Sequence, residues 1–108
     1  MQLTTIHDAE GTGPQSVSAK LLLDGHASSV RVIRLAPGRA LPPHRHGIAD
    51  LMLFAVAGAG ELDTPGGTQP FAAGALAFYA GDEELRVRNV GADELTLLAF
   101  LAPKPSAA

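Results

Sequence analysis

The sequence of 108 residues contains no cysteine and no tryptophan. Without cysteine there are no disulfide bonds, thiolate nucleophiles or zinc–thiolate sites. No cluster of Lys and Arg is present and the formal net charge is −3, which argues against nucleic acid as a partner. The longest apolar run, residues 51–60, is too short to span a bilayer, and the N-terminus does not read as a signal peptide. We therefore expect a soluble, cytoplasmic protein with no membrane partner.

Turn-forming residues are frequent, with 12 glycines and 8 prolines. This composition favours short strands over helices, and the strand-like segments separated by turn signals are typical of a sandwich or barrel. A chain of this length fits one domain. We predict a single all-β domain: residues 1–14 form an N-terminal arm or edge strand, residues 15–101 form the barrel, and residues 102–108 form a disordered tail.

Two segments carry the clearest strand patterns. Residues 51–56 are all apolar, which predicts a strand buried on both faces. Residues 85–90 alternate, so Leu85, Val87 and Asn89 share one face while Arg86 and Arg88 share the other, which we expect to be solvated. The only tyrosine, Tyr79, is expected in the core or at its rim, and the alternative is that it serves as a pocket acid.

Two of the four histidines, His44 and His46, lie one residue apart, and Asp50 follows four residues later. In an extended chain both histidines point to one face and Arg45 to the other, so two imidazoles can meet one metal ion. Asp50 becomes a third ligand if the turn at Gly47 brings it back, and two histidines with a carboxylate suit non-haem iron and related metals. The alternatives are a solvated strand face and a loop-capping Asp50.

The order of these motifs resembles that of the cupin superfamily, whose first motif runs G-x5-H-x-H-x3,4-E-x6-G. Gly38, His44, His46 and Gly58 match it. The resemblance covers roughly residues 28–101 and implies a jelly-roll β-barrel.

The second cupin motif runs G-x5-P-x-G-x2-H-x3-N and is only partly kept. Gly74 opens it and Asn89 closes it, while Ala80 stands at the proline position. Counting from the flanking matches, Leu51 stands at the glutamate position of the first motif and Leu85 at the histidine position of the second.

Carried over residue by residue, the family's metal site keeps only His44 and His46 in this chain. Asp50, one residue before the glutamate position, is the third candidate. The resemblance thereby implies a divalent transition metal (Fe, Mn, Ni or Zn) at His44, His46 and Asp50. Cupins also commonly pair through edge strands, so we expect a homodimer.

Two functional hypotheses remain open. In the first, a small cupin holds the metal and binds or transforms a small organic molecule. In the second, the cupin is metal-free, and Leu51 and Leu85 line an apolar ligand pocket with Asn89 within reach. No nucleophile–base pair, phosphate loop or pair of catalytic carboxylates is recognisable, so the sequence leaves open whether the protein is an enzyme.

Overall fold

A computed structural model of the chain describes residues 1–8 and 16–104. In chain order its strands are β1 (Val17–Asp24), β2 (Ser29–Leu35), β3 (Asp50–Ala57), β4 (Ala59–Thr64), β5 (Gly67–Ala72), β6 (Leu76–Tyr79), β7 (Val87–Asn89) and β8 (Leu95–Ala102). They form a five-stranded sheet of order β1-β2-β8-β3-β6 and a three-stranded sheet of order β5-β4-β7. The all-β prediction is confirmed. Within the described residues, no helix has the length and apolar character needed to cross a membrane.

The hydrophobic core lies between the inner faces of the two sheets. Every strand contact among the described residues is antiparallel, and strands β2 to β8 each contribute buried side chains to this space. Burying a leucine side chain contributes about 2 kcal/mol to folding, so the leucine-rich inner faces account for much of the stability. The largest fully buried side chains are Leu35, Leu51, Leu53, Leu85, Leu95, Leu97 and Val32.

Strand β3 is buried on one face only, so the prediction of burial on both faces is wrong. Leu51, Leu53 and Ala55 are buried, whereas Met52 between them is 50% exposed. The reason is that the second sheet covers only one side of the five-stranded sheet. The unbroken apolar run therefore gives β3 two apolar faces, of which only one is buried.

Strand β7 follows its predicted alternation. Val87 and Asn89 are buried, while Arg88 lies on the outside of the three-stranded sheet. There the Arg88 guanidinium donates to Glu61 and to Asp63 on the neighbouring strand, each at 2.7 Å. The hydrogen bond from Arg88 lowers the pKa of the Asp63 carboxyl.

Both ends of the described chain are tied to the β1–β2 edge of the larger sheet. Arg34 donates to the Ile6 carbonyl at 2.6 Å, close to the short 3-10 turn at Ile6–Asp8. The Lys104 amide donates to the Ala27 carbonyl at 2.9 Å, and its ammonium pairs with Asp24. Residues 9–14 of the predicted arm and residues 105–108 of the predicted tail lie outside the described residues.

The segment that carries the histidines runs antiparallel to β7 and to the loop before it. The Leu41 amide donates to the Val87 carbonyl at 3.0 Å, and the Leu85 amide donates to the His44 carbonyl at 2.9 Å. The His46 amide donates to the Gly81 carbonyl at 2.9 Å. We call the pairing of residues 44–47 with residues 81–85 the histidine edge.

Only glycine fits at position 81 of the histidine edge. A Cβ atom on Gly81 would overlap the carbonyl oxygen of Gly47 and approach the Ala49 oxygen to 2.8 Å. Both obstacles are backbone atoms, which cannot rotate away. The absent side chain therefore allows the two loops to pack closely.

We predict that Gly81→Ala lowers the free energy of unfolding by about 3 kcal/mol, because backbone must move to admit the methyl group. Urea unfolding followed by circular dichroism measures the change. Gly66→Ala is the matched control, since the nearest atom to its added Cβ is Thr64 Oγ1 at 3.8 Å. Equal stability of the two variants would contradict the close packing described for Gly81.

Candidate functional site at the histidine edge

The structure brings the rings of His44 and His46 together. Their centroids are 4.6 Å apart and the planes meet at 64°. His44 forms a β-bridge with Leu85, and bridged residues project to the same side, so His44 lies on the side that faces the core. His44 is exposed, while His46 is partly buried.

Hydrogen bonding identifies which ring nitrogen of His44 carries the proton in the neutral tautomer. Its Nδ1 atom lies 2.9 Å from the Pro42 carbonyl oxygen, which can only accept, so Nδ1 carries the proton. The Nε2 atom of neutral His44 then keeps its lone pair. A metal-binding or ligand-binding histidine is usually oriented by a hydrogen bond from its other ring nitrogen to a backbone carbonyl.

The His46 ring is held neutral by its surroundings. Burial, and then the repulsion that a protonated His44 would exert, lower the pKa of His46 from its ordinary value of 6.5. Its Nδ1 atom is buried and has no hydrogen-bond partner among the described residues. A neutral imidazole with a buried unpartnered nitrogen can bind either a metal ion or a polar group of a ligand.

The ring separation is compatible with two neighbouring ligands of one metal ion. Imidazole nitrogens bind transition metals at about 2.1 Å, which places two rings bound at a right angle with centroids about 4.5 Å apart.

Asp50 does not join the two histidines. It is the first residue of β3, where it is exposed on the same face as Met52, and Leu51 takes the inward position. Asp50 lines a groove with Met52 and Phe100 on the other side of the five-stranded sheet. Within residues 1–8 and 16–104, no group of three or more His, Asp or Glu side chains is arranged to hold a metal ion.

The three residues considered as pocket-lining are all buried. Leu51 and Leu85 are each 1% exposed and belong to the core cluster. Asn89 is 3% exposed, and its amide donates to the Leu35 and Asp93 carbonyls at 2.9 and 2.8 Å. Its oxygen accepts from the Gly91 amide, so Asn89 ties the turn after β7 to β2.

No protein-family model matches the chain, and no curated protein matches it. Solved structures do. An uncharacterized conserved protein with a double-stranded β-helix domain from Klebsiella pneumoniae is 17% identical, with a TM-score of 0.85 over 95% of this chain and 90% of that one. An RmlC-like cupin protein from Desulfovibrio desulfuricans is 24% identical, with a TM-score of 0.81 over 95% and 97%.

The fold is that of the cupins. A cupin 2 conserved barrel domain protein from Salinispora arenicola is also similar, at 21% identity and a TM-score of 0.76 over 94% of this chain and 88% of that one. At such identities the cupin fold is shared, and the chemistry depends on the residues that this chain presents.

Sequence reasoning did not find one feature of the site region, the environment of Tyr79. The hydroxyl of this residue is buried without a partner among the described residues, and its ring lines a polar cleft beside Arg45 and Glu83. The sequence carried no signal for it, because the cleft is assembled from segments that are distant along the chain.

We predict that His46 makes the fold less stable as the pH falls. Because the folded pKa is lowered, the unfolded chain binds the proton more readily, so the contribution of neutral His46 is complete above 6.5 and is lost progressively as the pH falls from that value through the lower folded pKa. Thermal unfolding with a chelator present, from neutral pH to about pH 5, measures this loss. His46→Gln should flatten the decline and the control His26→Gln should not; parallel curves for all three proteins would contradict the prediction.

Proposed function

We propose that this chain binds a small organic molecule at the histidine edge, where His44 and His46 recognise it. The observation that carries the proposal is the Nδ1 atom of His46, which has no partner among residues 1–8 and 16–104, on a ring whose centroid is 4.6 Å from that of His44. A buried polar atom without a hydrogen bond costs about 1–3 kcal/mol, which a ligand's hydrogen bond would offset.

The His44 tautomer indicates which chemical group such a ligand carries. Its Nδ1–H is used by the Pro42 carbonyl, so the neutral ring offers Nε2 as an acceptor. The matching group on the ligand is a hydrogen-bond donor, such as a hydroxyl or an amide N–H.

The complete metal site implied by the resemblance to cupins does not fit the residues present. Leucines occupy the glutamate position and the second-motif histidine position, where both are buried in the core. Asp50, the replacement carboxylate, is exposed on the side of the five-stranded sheet that faces away from the core. We therefore derive no catalytic step through a metal.

A second candidate function is a site for Fe, Mn, Ni or Zn formed by the two histidines alone, with lower affinity than a complete cupin ligand set would give. It is favoured by the centroid separation of 4.6 Å and by the carbonyl that orients His44. Water or a bound small molecule would supply the remaining ligands. Losing a ligand commonly weakens metal binding severely, so we expect low affinity.

We predict that a library of small hydroxyl- and amide-bearing compounds contains at least one that raises the melting temperature of the untagged full chain. A compound at about 100 times its Kd stabilises the fold by about 2.7 kcal/mol. The shift should persist in a chelator and disappear in His44→Ala/His46→Ala, but not in the control His26→Ala.

Elemental analysis of the same untagged protein, before and after loading with Fe, Mn, Ni or Zn, distinguishes the two candidates. About one ion per chain, lost in the double variant, would support the second candidate. A chelator-resistant shift without metal would support the first. Neither uptake nor a shift that depends on the histidines would overturn both.

A further inference from the structure

A second polar site lies beside the histidine edge, in a cleft between the β4–β5 hairpin and the loop before β7. Its volume is about 470 Å³, within the usual range of small-molecule pockets. Arg45 projects into this cleft, where its Nε donates to the Asp82 carbonyl at 3.0 Å. The residues that line the cleft are Arg45, Asp63, Thr64, Pro65, Tyr79, Asp82, Glu83, Glu84 and Arg86.

The cleft carries an excess of negative charge, with four carboxylates and two guanidinium groups in its lining. Arg45 and Arg86 both pair with Glu84, at 3.5 and 2.6 Å. The neighbouring Arg88 binds Asp63 and Glu61. Counting Arg88 and Glu61 with the cleft leaves the excess of negative charge unchanged, because they add one positive and one negative charge.

Among the described residues, the carboxylates of Asp82 and Glu83 have no cationic partner in this network. One oxygen of Glu83 accepts from the Ala80 amide at 2.9 Å. The excess negative charge is therefore concentrated on these two side chains.

The Tyr79 side chain forms part of the wall of this cleft. Tyr79 is 7% exposed, and its hydroxyl oxygen is buried with no hydrogen-bond partner among the described residues. Burial, and then the charges of Glu83 and Asp63, raise the pKa of Tyr79, so the phenol stays protonated. A neutral phenol both donates and accepts, and leaving both capacities unused is unfavourable in a folded protein.

We propose that this cleft binds a small organic ammonium ion, with the ammonium group donating to the Tyr79 hydroxyl and to Glu83. An ammonium group offers only donors, and both partners offer acceptor oxygens. Its charge balances the excess on the cleft, whereas an anion would be repelled. Pro65 and the Tyr79 ring provide apolar contact for an alkyl stem.

We predict that 1,4-diaminobutane binds the full chain in this cleft and that 1,4-butanediol, the neutral molecule of equal length, does not. Titration followed by amide NMR should shift residues 63–64 and 79–86 with saturation. Tyr79→Phe and Glu83→Gln should each weaken binding about tenfold, the loss expected for one hydrogen bond that involves a charged group. Asp93→Asn, which removes a carboxylate from another loop, is the matched control and should bind as the wild type.

The melting temperature separates binding from folding in this test. Tyr79→Phe removes only an unpartnered hydroxyl, so we expect its stability to match or exceed that of the wild type. Unsaturable shifts across the acidic surface, equal binding of the diol, or undiminished binding by both cleft variants would each overturn the proposal.

Discussion

The alternation of side chains along β3 determines which residues of this segment face the core and which are exposed. Pairing with β8 on one edge and β6 on the other fixes the register of the strand. That register turns Leu51 inward and Asp50 outward, and a slip of one residue would exchange them. The slip is prevented because Leu51, Leu53 and Ala55 would leave the core together. Core packing thereby separates the carboxylate from the histidines.

The same alternation explains why the chain combines a compact interior with an apolar exterior. A strand that is apolar throughout must present apolar side chains on both sides, but the second sheet covers only one of them. Met52 and Phe54 therefore continue the apolar surface contributed by β6 and β8. The core and this exposed apolar surface are two consequences of one sequence segment.

The histidine edge depends on backbone hydrogen bonds and on the close backbone packing that Gly81 allows. Residues 44–47 and 81–85 approach closely because Gly81 has no side chain, and the His46 amide reaches the Gly81 carbonyl. The two imidazole rings then lie with centroids 4.6 Å apart at this edge of the barrel. Arg45, which lies between the two histidines, lines the neighbouring cleft. Residues 44–46 therefore contribute both to the histidine edge and to the acidic cleft. The cupin fold provides these positions, whereas the residues that occupy them decide the chemistry.

The sequence by itself was sufficient to predict the all-β fold, the alternation of residues 85–90 and the pairing of His44 with His46 on one face, because these features repeat with the local period of a strand. Only the tertiary structure decided that Asp50 lies away from the histidines, that Leu51 and Leu85 are packed into the core, and that Asn89 ties a turn. The tertiary structure also brings together the three separate segments that line the cleft beside Tyr79. A local pattern records which side chains share a face, but which face becomes covered depends on contacts between residues far apart in the chain.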